Sequence, residues 1–152
     1  MAQKMLLPSD LAAIVGVIDP DLNAAGTVTT GWINMADFAS VMGIVMAGAL
    51  GSSATLDAKF EQASDGSGTG AKDVAGAAIT QLTDGGSDSD KQAIVQLYAE
   101  DLDLAGGFTH VRLSMTVATA SSDSAAVVIG VGPRYAPASD HDLASVAEIV
   151  SL

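Results

Sequence analysis

The sequence contains no cysteine and little positive charge. Without cysteine, the chain can form neither disulfides nor thiolate metal sites, and it has no cysteine nucleophile. Six basic residues stand against eighteen acidic ones, which gives a formal net charge of −12 at pH 7. We therefore expect no binding to nucleic acid or to an anionic membrane through charge attraction.

Aromatic residues and long apolar runs are also scarce. Aromatics make up 4% of the chain, so the stacking platform used by many sugar and single-strand binders is missing. No basic region precedes an apolar run near Met1, and no run approaches the roughly 18 apolar residues of a membrane span. We expect a product that begins near Met1, carries no signal peptide and does not enter a membrane.

Aspartate is abundant: the chain has fifteen Asp and three Glu. Aspartate favours turns and caps over helix interiors, so this excess predicts many loops and few long helices. A chain of 152 residues has the size of one domain, which can bury about 70% of the surface that its unfolded form exposes. The composition therefore predicts one domain with a sizeable core.

Two stretches alternate apolar and polar residues with the period of a half-buried strand. Their apolar positions are Leu56, Ala58 and Phe60, and then Val111, Leu113, Met115 and Val117.

Three further stretches are continuously apolar: 41–50, 94–99 and 125–131. Runs of this length fit strands buried on both faces, in a sandwich core or under a partner subunit, although periodicity alone does not exclude a helix. The segment 27–35 supplies one more strand. Strands at short spacing, separated by turn clusters, predict an all-β protein, an antiparallel β-sandwich or jelly roll.

The two ends differ from the middle. Residues 5–19 form either a short helix capped by Ser9 or Asp10, or an extended arm. Residues 142–152 carry apolar residues at helix-like spacing, with Ser139 or Asp140 as a cap. We therefore divide the chain into an N-terminal arm (1–26), a β-sandwich (27–137) and a C-terminal tail or short helix (138–152). Segments this short must pack on the sandwich or on a neighbouring subunit.

Two loops have compositions found at ligand sites. Asp84, Asp88 and Asp90 gather oxygen ligands of the kind calcium prefers, but the loop lacks the spacing and closing glutamate of a helix-loop-helix calcium site. The loop 65–70 is rich in glycine but has no Gly-Lys-Ser/Thr ending that would bind phosphate. A solvated turn and a flexible inter-strand loop are the favoured interpretations.

No residues stand at the spacing of a known catalytic site, and we predict neither an enzyme nor a cofactor. His110 fits the solvent-exposed face of a strand, beside Arg112. His141, between two aspartates, is either a weak metal ligand or part of a capping region. No serine lies in a Gly-x-Ser-x-Gly turn, and the neighbouring Glu100 and Asp101 fit a strand-ending turn.

Apolar residues outside the regular strands are the candidate interface. Met35, Met42 and Met46 lie near Trp32 and Phe38 in the sequence, where methionine and tryptophan either fill the core or contact a partner. The candidate interface residues are Leu6, Leu7, Leu11, Ile14, Val15, Trp32, Met35, Phe38, Leu143, Val146 and Ile149.

The order of several motifs resembles a family of small virion proteins of tailed bacteriophages and related prophages. The motifs are GWINMADF (31–38), GALG (48–51), ATLDAK (54–59), SDGSGTGAKD (64–73), GAAIT (76–80), EDLD (100–103), FTHVRL (108–113) and PRYAP (133–137). They span about 27–137, most of the chain.

The resemblance implies a structural role, as a head decoration (cement) protein on the outer surface of a capsid shell, often as a trimer. Its partners would be the major capsid protein and further copies of itself, in a virion assembled in the host cytoplasm. The resemblance implies no catalytic residues. Neck and tail proteins share such folds, so the position in the virion stays open. The alternative is a calcium- or glycan-binding β-sandwich module that uses Asp84, Asp88 and Asp90.

Overall fold

The computed structural model describes residues 6–152, so Met5 of the predicted arm lies outside the described residues. Residues 6–152 form ten strands and one short helix. The strands are β1 (Ala12–Asn23), β2 (Gly26–Thr29), β3 (Ile33–Asn34), β4 (Phe38–Ala47), β5 (Thr55–Ala63), β6 (Lys72–Ala78), β7 (Leu82–Thr83), β8 (Gln92–Tyr98), β9 (His110–Ala118) and β10 (Ser122–Pro133). The helix α1 (Pro8–Leu11) precedes them, and two 3-10 turns lie at Ala99–Asp101 and Ala138–His141.

The strands form two antiparallel sheets. The first sheet has the order β1-β10-β4-β8, and the second has the order β2-β9-β5-β6, with β3 beside β9 and β7 beside β5. Strands that follow one another in sequence mostly alternate between the sheets, which is the connectivity of a jelly roll. The predicted all-β sandwich is therefore confirmed.

The core lies between the inner faces of the two sheets. Phe60 and Leu113 of the second sheet are fully buried, as are Val45 and Val128 of the first. Gly43 faces them from β4, and a Cβ there would stand 3.3 Å from the side chains of both Leu113 and Phe60. The missing side chain therefore lets β4 come close to the opposite sheet.

The strands predicted from alternation and from apolar runs are present as β4, β5, β8, β9 and β10. The segment 27–35 is divided into β2 and β3. Two long strands were not predicted. The strand β6 follows the expected loop 65–70, in a stretch for which no strand was predicted, and the expected N-terminal arm contains β1, which pairs with β10 over most of its length.

The terminal helices predicted from spacing are mostly absent. At the N-terminus only one turn is helical, and Asp10 caps it by accepting a hydrogen bond from the Leu7 amide at 2.8 Å. At the C-terminus, where a tail or a short helix was expected, the chain is a tail, because residues 142–152 contain no regular helix. Within residues 6–152, no helix has the length and apolar character needed to cross a membrane.

Candidate functional site

Over the rungs that pair with residues 125–131 of β10, the outer face of the first sheet is apolar and carries no charged side chain; beyond them lies the exposed Asp123 of the same strand. Strand register fixes its composition, because paired residues point to the same side. One rung joins Val17, Val127, Ile44 and Ile94 across all four strands. The outward positions are Ala12, Ile14, Val17, Ser40, Met42, Ile44, Met46, Gln92, Ile94, Gln96, Tyr98, Ala125, Val127, Ile129 and Val131. We call this set the apolar face.

The outer face of the second sheet has the opposite character. Asp57, Lys59 and Glu61 point outward from β5, and Arg112 points outward from β9. Arg112 Nε donates a hydrogen bond to Glu61 Oε2 at 2.7 Å, and the ammonium of Lys59 lies 2.7 Å from Asp73. A solvated sheet face normally carries polar side chains. The second sheet follows this rule and the first does not.

Side chains of the apolar face remain open to solvent. Ile94 is 60% exposed, Tyr98 is 62% exposed and Met46 is 48% exposed. The central residues Ile44 and Val127 are shielded in part by their neighbours in the rung but are not buried. An exposed apolar surface of this kind is typical of a contact surface.

Carboxylates border the apolar face at one end. Asp21, Asp90 and Asp123 line a hollow of about 580 Å³ together with Leu22 and Met46. These three carboxylates are therefore charged groups at the rim of the apolar face. This arrangement, an apolar centre with a polar rim, is common in protein interfaces.

The N- and C-terminal segments meet at the edge of the same sheet. The Ile14 amide donates a hydrogen bond to Asp142 Oδ1 at 2.6 Å, and the Leu143 amide donates one to the Ile14 carbonyl at 2.9 Å. Leu7 and Leu11 are largely exposed, and so is Ile149. The exposed leucines of the N-terminal segment, Leu6, Leu7 and Leu11, lie in and just before α1, which directly precedes β1. We call these three leucines the terminal cluster.

Trp32 is half-buried at the outer face of the second sheet. The Arg112 guanidinium lies 4.6 Å from the centre of its ring, in cation–π geometry. Gly68 covers it from the loop after β5, because a Cβ there would stand 2.7 Å from Trp32 Nε1. Trp32 therefore holds a loop in place, and its ring is not free to stack on a ligand.

Part of the predicted interface is wrong. Met35 and Phe38 are buried in the core at 4% and 5% exposure, and Val15 is buried as well. Phe38 packs against Gly130 and, edge to face, against His141. Leu6, Leu7, Leu11 and Ile149 are exposed as predicted, whereas Ile14, Leu143 and Val146 are half-buried.

The predicted methionine cluster is also divided. Met42 and Met46 lie on the apolar face, whereas Met35 lies inside. The residues that dominate the apolar face, such as Ile44, Ile94 and Val127, were not among the predicted contacts. Their signal in the sequence was the continuous apolar character of β4, β8 and β10, which fits strands covered on both faces.

The aspartate loop does not assemble a calcium site. Asp84 Oδ2 accepts the Ser53 amide at 2.9 Å, and Asp88 accepts the Thr83 amide and the Lys91 ammonium. The hydrogen bond from Lys91 is the main cause that lowers the pKa of Asp88. Among residues 6–152, no group of three or more Asp, Glu or His side chains is placed to hold a metal ion.

The glycine-rich loop is organised by its own aspartate. Asp65 accepts hydrogen bonds from the Thr69 hydroxyl at 2.6 Å and from the amides of Ser67 and Thr69. These bonds, the Thr69 hydroxyl first, lower the pKa of Asp65. The loop is therefore a structured turn and not the flexible one expected, and its aspartate faces inward to its own amides.

The remaining candidates have structural partners. His110 Nδ1 lies 2.9 Å from the Thr109 hydroxyl, and His141 Nδ1 lies 4.0 Å from Asp37. Asp101 accepts a hydrogen bond from the Tyr98 amide at 2.7 Å, in the turn after β8. In the described part of the chain these groups are spread over separate loops and strands.

No protein-family model matches the sequence, and no curated protein matches it either. Among solved structures, a chain of broad bean stain virus is 11% identical, with a TM-score of 0.45, and covers 89% of this chain and 96% of its own. A chain of cowpea mosaic virus empty particles is 10% identical, with a TM-score of 0.44; the match covers 86% of this chain and 88% of the virus chain. The xylan-binding module CBM15 is 13% identical, with a TM-score of 0.38; the match covers 80% of this chain and 97% of the module. Likeness at this level carries no argument about function.

Proposed function

We propose that this protein is a non-enzymatic structural subunit of a bacteriophage virion, a decoration protein that binds the outer surface of the head and stabilises it. The observation that carries the proposal is the apolar face, which is open to solvent on a chain of net charge −12. A sheet face without any charge is expected where another protein surface covers it. The resemblance of several sequence motifs to those of small phage virion proteins supports this kind of assembly.

The terminal cluster supplies a second contact surface, and we assign it to the major capsid protein. Leu6, Leu7 and Leu11 project from a segment held at its base by α1 and β1. Such side chains fit apolar pockets between neighbouring shell subunits, where they would act as anchors. If the protein were a subunit of the neck or tail instead, the same two surfaces would contact a different partner.

Binding to heads tests this assignment. Deleting the whole N-terminal segment 5–19 would be the simplest test. Because β1 begins at Ala12, that deletion would also remove part of the sandwich. We therefore choose the double variant Leu7→Ser/Leu11→Ser, with Leu104→Ser as the control, since Leu104 is an exposed leucine in the loop between β8 and β9 and belongs to neither contact surface. Expanded heads of the encoding phage, prepared without the protein, are sedimented with each variant.

We expect the double variant to bind at least about tenfold more weakly, since two anchors are truncated, and the control to bind like the wild type. Normal decoration by the double variant would contradict the terminal contact. Failure of the wild-type protein to bind heads at any concentration would contradict the proposed function itself.

A further inference from the structure

We propose that the apolar face is the contact surface for a second copy of this chain, in a dimer whose first sheets pack face to face. This inference rests on the proposed function, in which the protein is an assembling subunit, and it names the occupant of one of its two surfaces. A sheet face that meets its own copy forms an isologous contact with two-fold symmetry. In sandwich folds generally, stacked sheets pack about 10 Å apart, and we expect the same spacing between the two copies.

The area of the apolar face reaches the lower end of the range for specific protein contacts. Four strands spaced about 4.8 Å apart, with rungs from Ala125 to Val131, give a face of roughly 19 by 22 Å, or about 400 Å² in plan. Because side chains roughen the surface, two such faces bury on the order of 1,000 Å² of accessible area, near the lower bound of specific interfaces.

Charge favours this face over other surfaces for self-association. The chain is strongly acidic, so two copies repel each other wherever carboxylates oppose carboxylates. Four of its six basic side chains, Lys59, Lys72, Lys91 and Arg112, are already paired with acids of the same chain. Contact through the apolar face brings no charged groups together in its centre and leaves the carboxylates at its rim.

The β1 edge of the first sheet is less suitable for self-association. At one edge, Asp142 and Leu143 already occupy the amide and carbonyl of Ile14, so the tail of the same chain blocks strand addition at that point. A ring of three copies would instead set the apolar face against a different surface of the next copy. Apart from the terminal cluster, which we assign to the shell, an acidic chain offers mainly polar surfaces there, at a cost in desolvation. The geometry therefore favours a dimer over the trimer that the sequence resemblance implies.

Sedimentation equilibrium of the full-length protein at several concentrations tests the inference. The informative variant is Ile94→Lys, because Ile94 lies on the apolar face but is 60% exposed on an edge strand. The matched control is Thr29→Lys, an exposed position on the edge strand β2 of the second sheet. Both variants change the net charge equally. Gln96→Lys, at an exposed polar position of the apolar face, serves if Ile94→Lys does not fold.

We expect the wild type and Thr29→Lys to sediment as dimers. In the variant of the apolar face, two ammonium groups would be buried without partners, and we expect its dissociation constant to rise at least about 100-fold. A monomeric or trimeric wild type, or a dimer that survives both substitutions on the apolar face, would overturn the inference. Head binding is measured separately, so a wild-type monomer that still decorates heads would leave the proposed function standing and assign this face to the shell.

Discussion

Gly68 and Trp32 form a close contact between two single residues. Gly68 has φ +86, where a side chain costs about 1–2 kcal/mol, and an added Cβ would also displace the indole. Gly76 provides the control, because it has φ +79 but no atom within 4 Å of an added Cβ. We expect Gly76→Ala to lower the free energy of unfolding by about 1 kcal/mol and Gly68→Ala by about 2–3 kcal/mol, as measured by urea denaturation.

The chain has a single tryptophan, so its fluorescence reports on the same contact directly. We expect Gly68→Ala to shift the emission of the folded protein and Gly76→Ala to leave it unchanged. Equal losses of stability and unchanged emission in both variants would show that the loop does not rest on Trp32.

At the scale of elements, the C-terminal tail acts as a partner for the outer edge of β1. The Asp142 carboxylate accepts the Ile14 amide at 2.6 Å in a half-buried position, a charge-assisted bond that contributes about 1–2 kcal/mol. We expect Asp142→Ala to lower the free energy of unfolding by that amount and to speed hydrogen exchange at the Ile14 amide. Asp140→Ala, two residues away and exposed, should change neither. If Ile14 exchanges at the same rate in both variants, the tail does not protect this edge.

Which elements the sequence predicts depends on how their faces are covered. β5 and β9 have one buried face and one charged face, so their alternation is plain. β6 lacks this signal because only Val74 and Ala77 are buried, three positions apart, and because its register opposite β5 is irregular. β1 was taken for an arm because register shifts near Gly16 and Pro20 interrupt its alternation.

The candidate site was predictable only in part for a related reason. Continuous apolar runs indicate that both faces of a strand are covered, but they do not say whether the same chain or a partner covers the second face. The positions of Met35 and Phe38 depend on how the chain turns into β4, which no local pattern reveals. Exposed leucines next to Pro8, in contrast, were identified from the sequence because nothing in the sandwich pattern could bury them.

At the scale of the whole molecule, the net charge of −12 opposes any self-association that the apolar face drives. Salt screens repulsion between exposed carboxylates, since the Debye length falls from about 30 Å at 0.01 M to about 8 Å at 0.15 M, while apolar contact is not weakened. We therefore expect the dissociation constant of the dimer to fall by about threefold or more between 0.02 and 0.3 M NaCl, in sedimentation equilibrium. Ile94→Lys should remain monomeric throughout the series, which separates screening from non-specific precipitation. A dimer that weakens as salt is added would show that opposite charges, and not the apolar face, hold the two copies together.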